Sequence, residues 1–251
     1  MLKTILKGAL AAAFVSVPLA SHAMDDAQRA EVENIIREYL LENPELLAEM
    51  QDALQAKQAE QQAIAQANAL TDLSGMIYES DYIIQVGDPD APFTVVEFFD
   101  YNCGFCRRSL NLFEETAERH PDVRFIFKEY PILSEDSLEA HKVSIALSQA
   151  RPDLYRNFHV LLMGASGRVT GAKAREVAIN LGMDEAQLDA ALAADSIDET
   201  IRESYRIADA LGINGTPGFI IGDEVVPGAI SMDDLEARYD NLRECGSTRC
   251  G

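Results

Sequence analysis

Positive charge is scarce in this sequence, and long apolar runs are missing from most of it. The chain of 251 residues carries 21 Lys and Arg against 42 Asp and Glu, a net charge of −21 at pH 7. This balance excludes nucleic acid and anionic lipid as partners held by charge. Beyond residue 23 no segment is long and apolar enough to be predicted to span a bilayer. Clusters of Met or His are also missing, which argues against a protein that sequesters copper.

Cysteine is scarce as well, with four residues at positions 103, 106, 245 and 250. This number is low for a disulfide-stapled domain, and a chain of this length can bury a core without staples. At least one pair is therefore predicted to carry cysteine chemistry. Cys245 and Cys250 are predicted to form a local disulfide that pins the C-terminal tail, and a second redox site is the alternative.

The first 23 residues have the pattern of a secretory signal peptide. Lys3 and Lys7 provide the positive start, residues 8–20 are mostly small and apolar, and small residues at 21 and 23 suit cleavage after Ala23. A retained anchor is the alternative, although an apolar run of about 13 residues is short for a bilayer. The pattern predicts export to an oxidising compartment, a bacterial periplasm.

Residues 24–76 are predicted to form an N-terminal helical arm. Asn43 and Pro44 interrupt the helical pattern and are predicted to separate two helices. Asn43 is a good cap for the second helix, and Pro44 suits its first position. Residues 25–72 could bury little within their own chain and are therefore predicted to make the protein a homo-oligomer. A helix folded back on the main domain is the alternative. Apolar residues at helical spacing line both helices: Val32, Ile35, Ile36, Tyr39 and Leu40, then Leu46, Leu47, Met50 and Leu54.

Residues 77–251 have the pattern of an α/β domain. Between the third predicted strand and a C-terminal hairpin, about residues 134–211 show helical signals and no convincing strand. A helical domain inserted into the α/β domain is therefore predicted. The elements predicted around it are strands at 83–86, 93–99 and 123–130, a hairpin over 218–227, and helices at 107–120 and 231–242.

The stretch FFDYNCGFCRR places Cys103 and Cys106 between a predicted strand and a predicted helix. The free N–H groups and the dipole of a helix N-terminus favour a thiolate, which is the nucleophile of disulfide exchange. Cys103 is predicted to be exposed and to attack, and Cys106 is predicted to resolve the mixed disulfide from inside. Zinc is the alternative, but it needs four ligands and an oxidised chain disfavours it, so no metal site is predicted.

Glu97 lies inside the second predicted strand, which is apolar enough to be central. Burial of a carboxylate is costly and needs a reason. Proton transfer to or from Cys106 would provide one, and a structural ion pair, with Lys128 as the partner, is the alternative.

Thr216 and Pro217 open the hairpin that follows the helical block. A proline at a strand start can be cis, and beside the dithiol it would leave the Thr216 backbone free to pair with an extended peptide. Residues 100–102 are expected at the rim of the site, and Arg107 and Arg108 are expected to be solvated. The histidines beyond the signal are predicted to be core or helix-end residues.

Three segments, VVEFFDYNCGFCRRS, FKEYPIL and GINGTPGFIIGDEVVPG, resemble the DsbA family of thioredoxin-fold proteins. The resemblance covers about residues 80–242 and implies a thioredoxin fold with an inserted helical domain. It also implies that Cys103 is the nucleophile, Cys106 the resolving cysteine, Glu97 the buried acid and Pro217 a cis-proline. A protein of this kind needs no diffusible cofactor, acts on exported proteins with cysteines and is reset by a membrane redox partner.

The dipeptide between the cysteines, Gly104-Phe105, departs from the Pro-His of the best-known oxidases. It is similar to the dipeptide of periplasmic disulfide isomerases, and without the histidine a weaker oxidant is expected. The arm is similar to that of the suppressor-of-copper-sensitivity C and Com1-like proteins. The sequence thus favours a disulfide isomerase or reductase. The alternatives are a dithiol oxidase or, in a different class, a copper-binding or holdase protein.

Overall fold

The structure, a computed structural model, describes residues 24–250. The predicted signal peptide and its cleavage site lie outside the described residues. Within residues 24–250 no helix combines the length and the apolarity needed to cross a bilayer.

The described residues form α-helices and one five-stranded sheet. The helices are α1 (Asp26–Glu42), α2 (Glu45–Asp72), α3 (Ser74–Tyr78), α4 (Gly104–Arg119), α5 (Glu135–Ala150), α6 (Pro152–Met163), α7 (Gly171–Asn180), α8 (Glu185–Leu192), α9 (Ser196–Leu211) and α10 (Met232–Cys245). The strands are β1 (Ile84–Val86), β2 (Phe93–Phe99), β3 (Val123–Glu129), β4 (Gly218–Ile221) and β5 (Glu224–Pro227).

The chain divides into two compact units, with the boundary between Lys57 and Gln58. In the first unit, α1 begins with a capping box in which the Asp25 side chain accepts from the Gln28 backbone N–H. None of the residues of α1 is buried. Its apolar side chains are therefore left in solvent, and Ile35 is 58% exposed.

In the second unit, the strands lie in the order β1-β3-β2-β4-β5. β2 and β3 are parallel, and the other neighbours are antiparallel. The apolar sequence FTVVEFF explains why β2 is central, because both faces of a central strand are covered.

Both faces of the sheet are buried. Alternate residues of β2 enter different cores: Val95 and Phe99 pack in one cluster, and Val96 and Phe98 pack in the other. The first cluster contains buried residues of α4, and the second contains buried residues of α9 and α3. Five helices, α5 to α9, lie between β3 and β4 in the chain, where the sequence predicts the helical block.

The alternative interpretation of Glu97, a structural ion pair with Lys128, is contradicted by the sheet register. In the register of β2 and β3, Glu97 lies opposite Phe127, and Lys128 lies opposite Phe98. Because successive side chains of a strand point to opposite faces, Lys128 faces away from Glu97. Its ammonium group instead donates to the Glu203 carboxylate at 2.8 Å.

Candidate active site

The two free cysteines lie where β2 passes into α4. Cys103 is the N-cap residue of α4, and its sulfur accepts from the Cys106 backbone N–H at 3.3 Å. The helix therefore begins three residues before the predicted start at 107. Cys103 is only 6% exposed and Cys106 1% exposed, so Cys103 is the more accessible sulfur but is less open than the sequence predicts.

The loop between α9 and β4 covers the dithiol. The Thr216–Pro217 peptide bond is cis, and Pro217 is buried. The Cys103 thiol donates to the Thr216 carbonyl oxygen at 3.1 Å. This carbonyl is thus engaged rather than free for a peptide, and it closes the entrance to the sulfur.

Hydrogen bonds to the Cys103 sulfur favour its ionised form. The bond from the Cys106 thiol, against the opposing effect of partial burial, lowers the pKa of Cys103 from 9.0 to about 5. The Thr216 side chain and the backbone N–H groups of Cys106 and Phe105 also contribute. Cys103 is therefore a thiolate at neutral pH, as a nucleophile for disulfide exchange requires.

Glu97 is 4% exposed in β2, and no ion pair to it is present in residues 24–250. Burial, together with the charge on Cys103, raises the pKa of its carboxyl from 4.5 to about 8. Burial raises the pKa of Cys106, and the charges of Cys103 and Glu97 add to this effect. The site therefore holds one ready thiolate, one protected thiol and one carboxyl that exchanges its proton near neutral pH.

Of the three residues expected at the rim, only Asn102 is partly exposed. Asp100 and Tyr101 are fully buried. The Asp100 carboxylate accepts from the backbone N–H groups of Ile132 and Leu133 at 3.0 Å. It thus ties the end of β2 to the loop after β3.

The dipeptide between the cysteines is exposed. Phe105 is 59% exposed, and the Arg108 guanidinium stacks 4.2 Å from its ring centroid. Arg107 is half-buried rather than solvated, because its guanidinium donates to the carbonyl oxygens of Tyr101 and Gly167.

A buried polar network behind the dithiol loop has no counterpart in the sequence predictions. Glu129 is fully buried and pairs with His141, and it also accepts from the Ser144 hydroxyl at 2.6 Å. The Tyr101 backbone N–H donates to His141 Nε2 at 3.3 Å, which places the ring proton on Nδ1, facing Glu129. The sequence feature that could have indicated this network is the pair of charged residues, Lys128 and Glu129, at the end of the apolar run VRFIFKE.

The C-terminal cysteines are bonded to each other, Cys245 to Cys250. Asp223, in the turn between β4 and β5, accepts from the Ser247 hydroxyl and from the Thr248 backbone and hydroxyl. The tail is therefore fixed to the β-hairpin by hydrogen bonds and to the end of α10 by the disulfide.

A dithiol at the N-terminus of the helix that follows a central strand, next to a cis-proline loop, defines the redox proteins of the thioredoxin fold. The DSBA-like thioredoxin domain family matches residues 94–240, and the family described as the copper resistance protein ScsC N-terminal domain matches residues 28–61. The chain belongs to the DsbA-like family of thioredoxin-fold thiol–disulfide oxidoreductases, in the branch that carries an ScsC-type N-terminal segment. The family resemblance and the fold class predicted from the sequence are both confirmed.

Solved structures and a curated relative agree with this assignment. A thioredoxin-like oxidoreductase from Silicibacter pomeroyi is 34% identical, with a TM-score of 0.64, over 68% of this chain and 98% of that one. A deletion mutant of Proteus mirabilis ScsC is 28% identical, with a TM-score of 0.68, over 90% of this chain and all of that one. The thiol:disulfide interchange protein DsbA of Bordetella pertussis is 29% identical over 139 residues, which are 54% of this chain and 66% of that protein.

Proposed function

We propose that this chain is a thiol–disulfide interchange protein that acts on exported proteins in the periplasm. The observation that supports the proposal most strongly is the Cys103 sulfur, held at the N-cap of α4 with its pKa lowered to about 5. Cleavage of the signal peptide after Ala23 and reset of the dithiol by a membrane redox partner belong to the same proposal. No diffusible cofactor takes part.

The exchange begins at Cys103. Its thiolate attacks one sulfur of a client disulfide; a Cys103–client disulfide forms, the client S–S bond breaks, and the other client sulfur leaves as a thiolate. The hydrogen bond from the Cys103 thiol to the Thr216 carbonyl oxygen, 3.1 Å long, is lost when Cys103 ionises, so the thiolate that attacks is not held by this bond. Pro217, which follows Thr216 in the chain, has no N–H to donate.

The mixed disulfide has two outcomes. In reduction, Cys106 passes its proton to Glu97 and attacks the Cys103 sulfur, so that the dithiol becomes a disulfide and the client receives two electrons as thiols. In isomerisation, a second client thiolate attacks the client sulfur and releases Cys103 unchanged. Glu97 suits the first route because its pKa of about 8 lies near the working pH.

Two observations favour opposite directions of exchange. Gly104-Phe105 and the arm favour an isomerase or reductase. The low pKa of Cys103 favours a dithiol oxidase instead, because a stabilised thiolate makes the reduced form the more stable one. We propose isomerase or reductase as the main activity and oxidase as the second candidate. Copper binding and holdase activity stay the candidates of a different class; within residues 24–250 no group of three or more possible metal ligands is found.

Refolding of ribonuclease separates the two directions. An isomerase recovers activity from scrambled ribonuclease in the presence of a reducing buffer, whereas an oxidase recovers it from reduced ribonuclease. We expect faster recovery from the scrambled substrate. Absence of recovery from both substrates would contradict the proposed exchange itself, and recovery from the reduced substrate alone would favour the oxidase.

We propose that the arm assembles several copies of the chain. Its apolar side chains are exposed in the first compact unit, where Ile35 is 58% and Tyr39 56% exposed. Burial of such side chains against other copies would stabilise an oligomer by roughly 1.5–3 kcal/mol for each fully buried large residue. Isomerisation benefits, because several dithiols then face one client.

The double variant Ile35→Glu, Tyr39→Glu tests this assembly. We expect its mass by light scattering to fall to that of one chain, because buried charges without partners are costly. We also expect scrambled-ribonuclease refolding to fall several-fold while reduction of a small disulfide is kept. Arg37→Glu, on the same helix, is the matched control and should keep the native mass. An unchanged mass of the double variant would refute the role of the arm.

A further inference from the structure

A groove beside the dithiol is positively charged, although the chain as a whole is strongly acidic. The groove has a volume of about 360 Å³ and begins at Gly104, next to the nucleophile. Asn102, Arg107, Leu133, Ser134, Gly167 and Arg168 complete its lining, and we term it the arginine groove. Two of these residues are arginines and none is an acid. Thr216 and Pro217 do not line it.

The walls of the arginine groove are fixed to the dithiol loop. The Arg107 guanidinium donates to the Tyr101 carbonyl at 3.3 Å and to the Gly167 carbonyl at 2.8 Å. The Asn102 side chain accepts from the Val169 N–H at 2.8 Å and donates to the Val169 carbonyl at 2.9 Å. The groove therefore keeps its shape and its charge without a ligand, which lowers the entropic cost of binding.

The positive charge of the groove is only partly neutralised by the chain itself. The groups that accept from Arg107 are neutral carbonyls, and in residues 24–250 it forms no ion pair. Arg168 pairs with Asp136 at 3.0 Å, but its side chain is 69% exposed. Hydrogen bonds, rather than these arginines, lower the pKa of Cys103. The charge of Arg107 is therefore not neutralised by an acidic residue and that of Arg168 is neutralised in part by Asp136, which leaves the groove a positive charge that can act on a group outside the chain.

We infer that the arginine groove binds an acidic, extended segment of a client protein and so selects client cysteines that have Asp or Glu close to them in sequence. Guanidinium groups bind carboxylates through charge-assisted hydrogen bonds. Leu133, which is 53% exposed at the groove, provides an apolar contact for the same segment. This inference rests on the proposed exchange at Cys103 and adds the class of substrate to it.

Matched peptides test the selection. Each peptide contains one cysteine as a mixed disulfide with a small fluorescent thiol, and the residues flanking the cysteine are either Glu or Gln. With a small dithiol present to return the Cys103–Cys106 disulfide to the reduced form, we expect kcat/KM of the wild-type protein to be about tenfold higher for the Glu peptide at low salt, and the difference to shrink as salt screens the charges. Equal kcat/KM values for the two peptides would overturn the inference. Failure to react with either peptide would instead contradict the proposed function.

Two variants of one ion pair separate electrostatic selection from a structural effect. Arg168→Gln and Asp136→Asn both break the pair between these side chains, but they change the charge of the groove in opposite directions. We expect Arg168→Gln to reduce the preference for the Glu peptide several-fold and Asp136→Asn to increase it. A structural role of the pair predicts changes in the same direction, and that result would overturn the inference. Arg206→Gln, an exposed arginine outside the groove, is the control and should keep the wild-type preference.

Discussion

Replacement of Cys103 by serine is expected to reduce disulfide exchange on the order of a thousandfold or more, to the uncatalysed rate. The variant keeps the N-cap, since serine is a good capping residue, but its hydroxyl cannot form a disulfide. Cys106 cannot replace Cys103, because it is 1% exposed and burial raises the pKa of its thiol. Reduction of a small fluorescent disulfide measures the loss.

The complementary variant, Cys106→Ala, is expected to accumulate a mixed disulfide. Cys103 still attacks, but nothing inside the chain resolves the product, so mass spectrometry should find a client linked to Cys103. A double variant in which Cys245 and Cys250 are both serine is the control; its exchange rate should stay within about twofold of the wild type, because these cysteines are bonded to each other and belong to the tail. A Cys103→Ser protein with normal activity would contradict the account.

Glu97→Gln is expected to slow resolution of the mixed disulfide about a hundredfold at pH 7 and to leave the attack by Cys103 nearly unchanged. General acid–base groups contribute about 10²–10⁴-fold to a step that moves a proton. Glutamine has nearly the same shape as glutamate but cannot take the proton from Cys106. Single-turnover kinetics resolve the two steps. Glu118→Gln, on the exposed face of α4, should leave both steps unchanged, and an equal slowing of both steps by Glu97→Gln would argue for a structural role of Glu97.

The same substitution is expected to change how stability depends on pH. The pKa of the Glu97 carboxyl is about 8 in the fold and 4.5 in the absence of that environment, so the folded protein holds the proton more tightly. Its contribution to the free energy of unfolding is complete below about pH 4.5 and is lost as the pH rises through about 8. Glu97→Gln lacks this loss. We therefore expect urea unfolding at several pH values to show that the free energy of unfolding of the variant rises relative to that of the wild type above pH 5. The difference should reach a few kcal/mol at about pH 8.

Local patterns in the sequence were enough to predict the elements that carry the site. A continuous apolar run after a turn places β2 at Phe93–Phe99, as predicted, and both strands of the hairpin lie at the predicted residues. The helical span predicted from residue pattern, 107–120, starts three residues late, because cysteine is not among the usual capping residues, whereas the dithiol pattern placed Cys103 at or just before the first turn, where it lies.

Contacts between distant segments were out of reach of local patterns. The alternative pairing of Lys128 with Glu97 rested on their places in neighbouring predicted strands, whereas the register of β2 and β3 decides which face of the sheet Lys128 occupies. The low exposure of Cys103 depends on the Thr216 carbonyl, 113 residues along the chain. The arginine groove depends likewise on the loop at Gly167, which Arg107 holds against the dithiol.

The proposed exchange requires that Cys103 be ionised at neutral pH. Ultraviolet absorbance of the thiolate, followed against pH in the reduced protein with Cys103→Ser as the blank, measures this directly. The account predicts a midpoint near pH 5 for Cys103, well below the ordinary value of 9.0. A midpoint near 9 would contradict it, since the sulfur would then be a thiol in the compartment where it must attack.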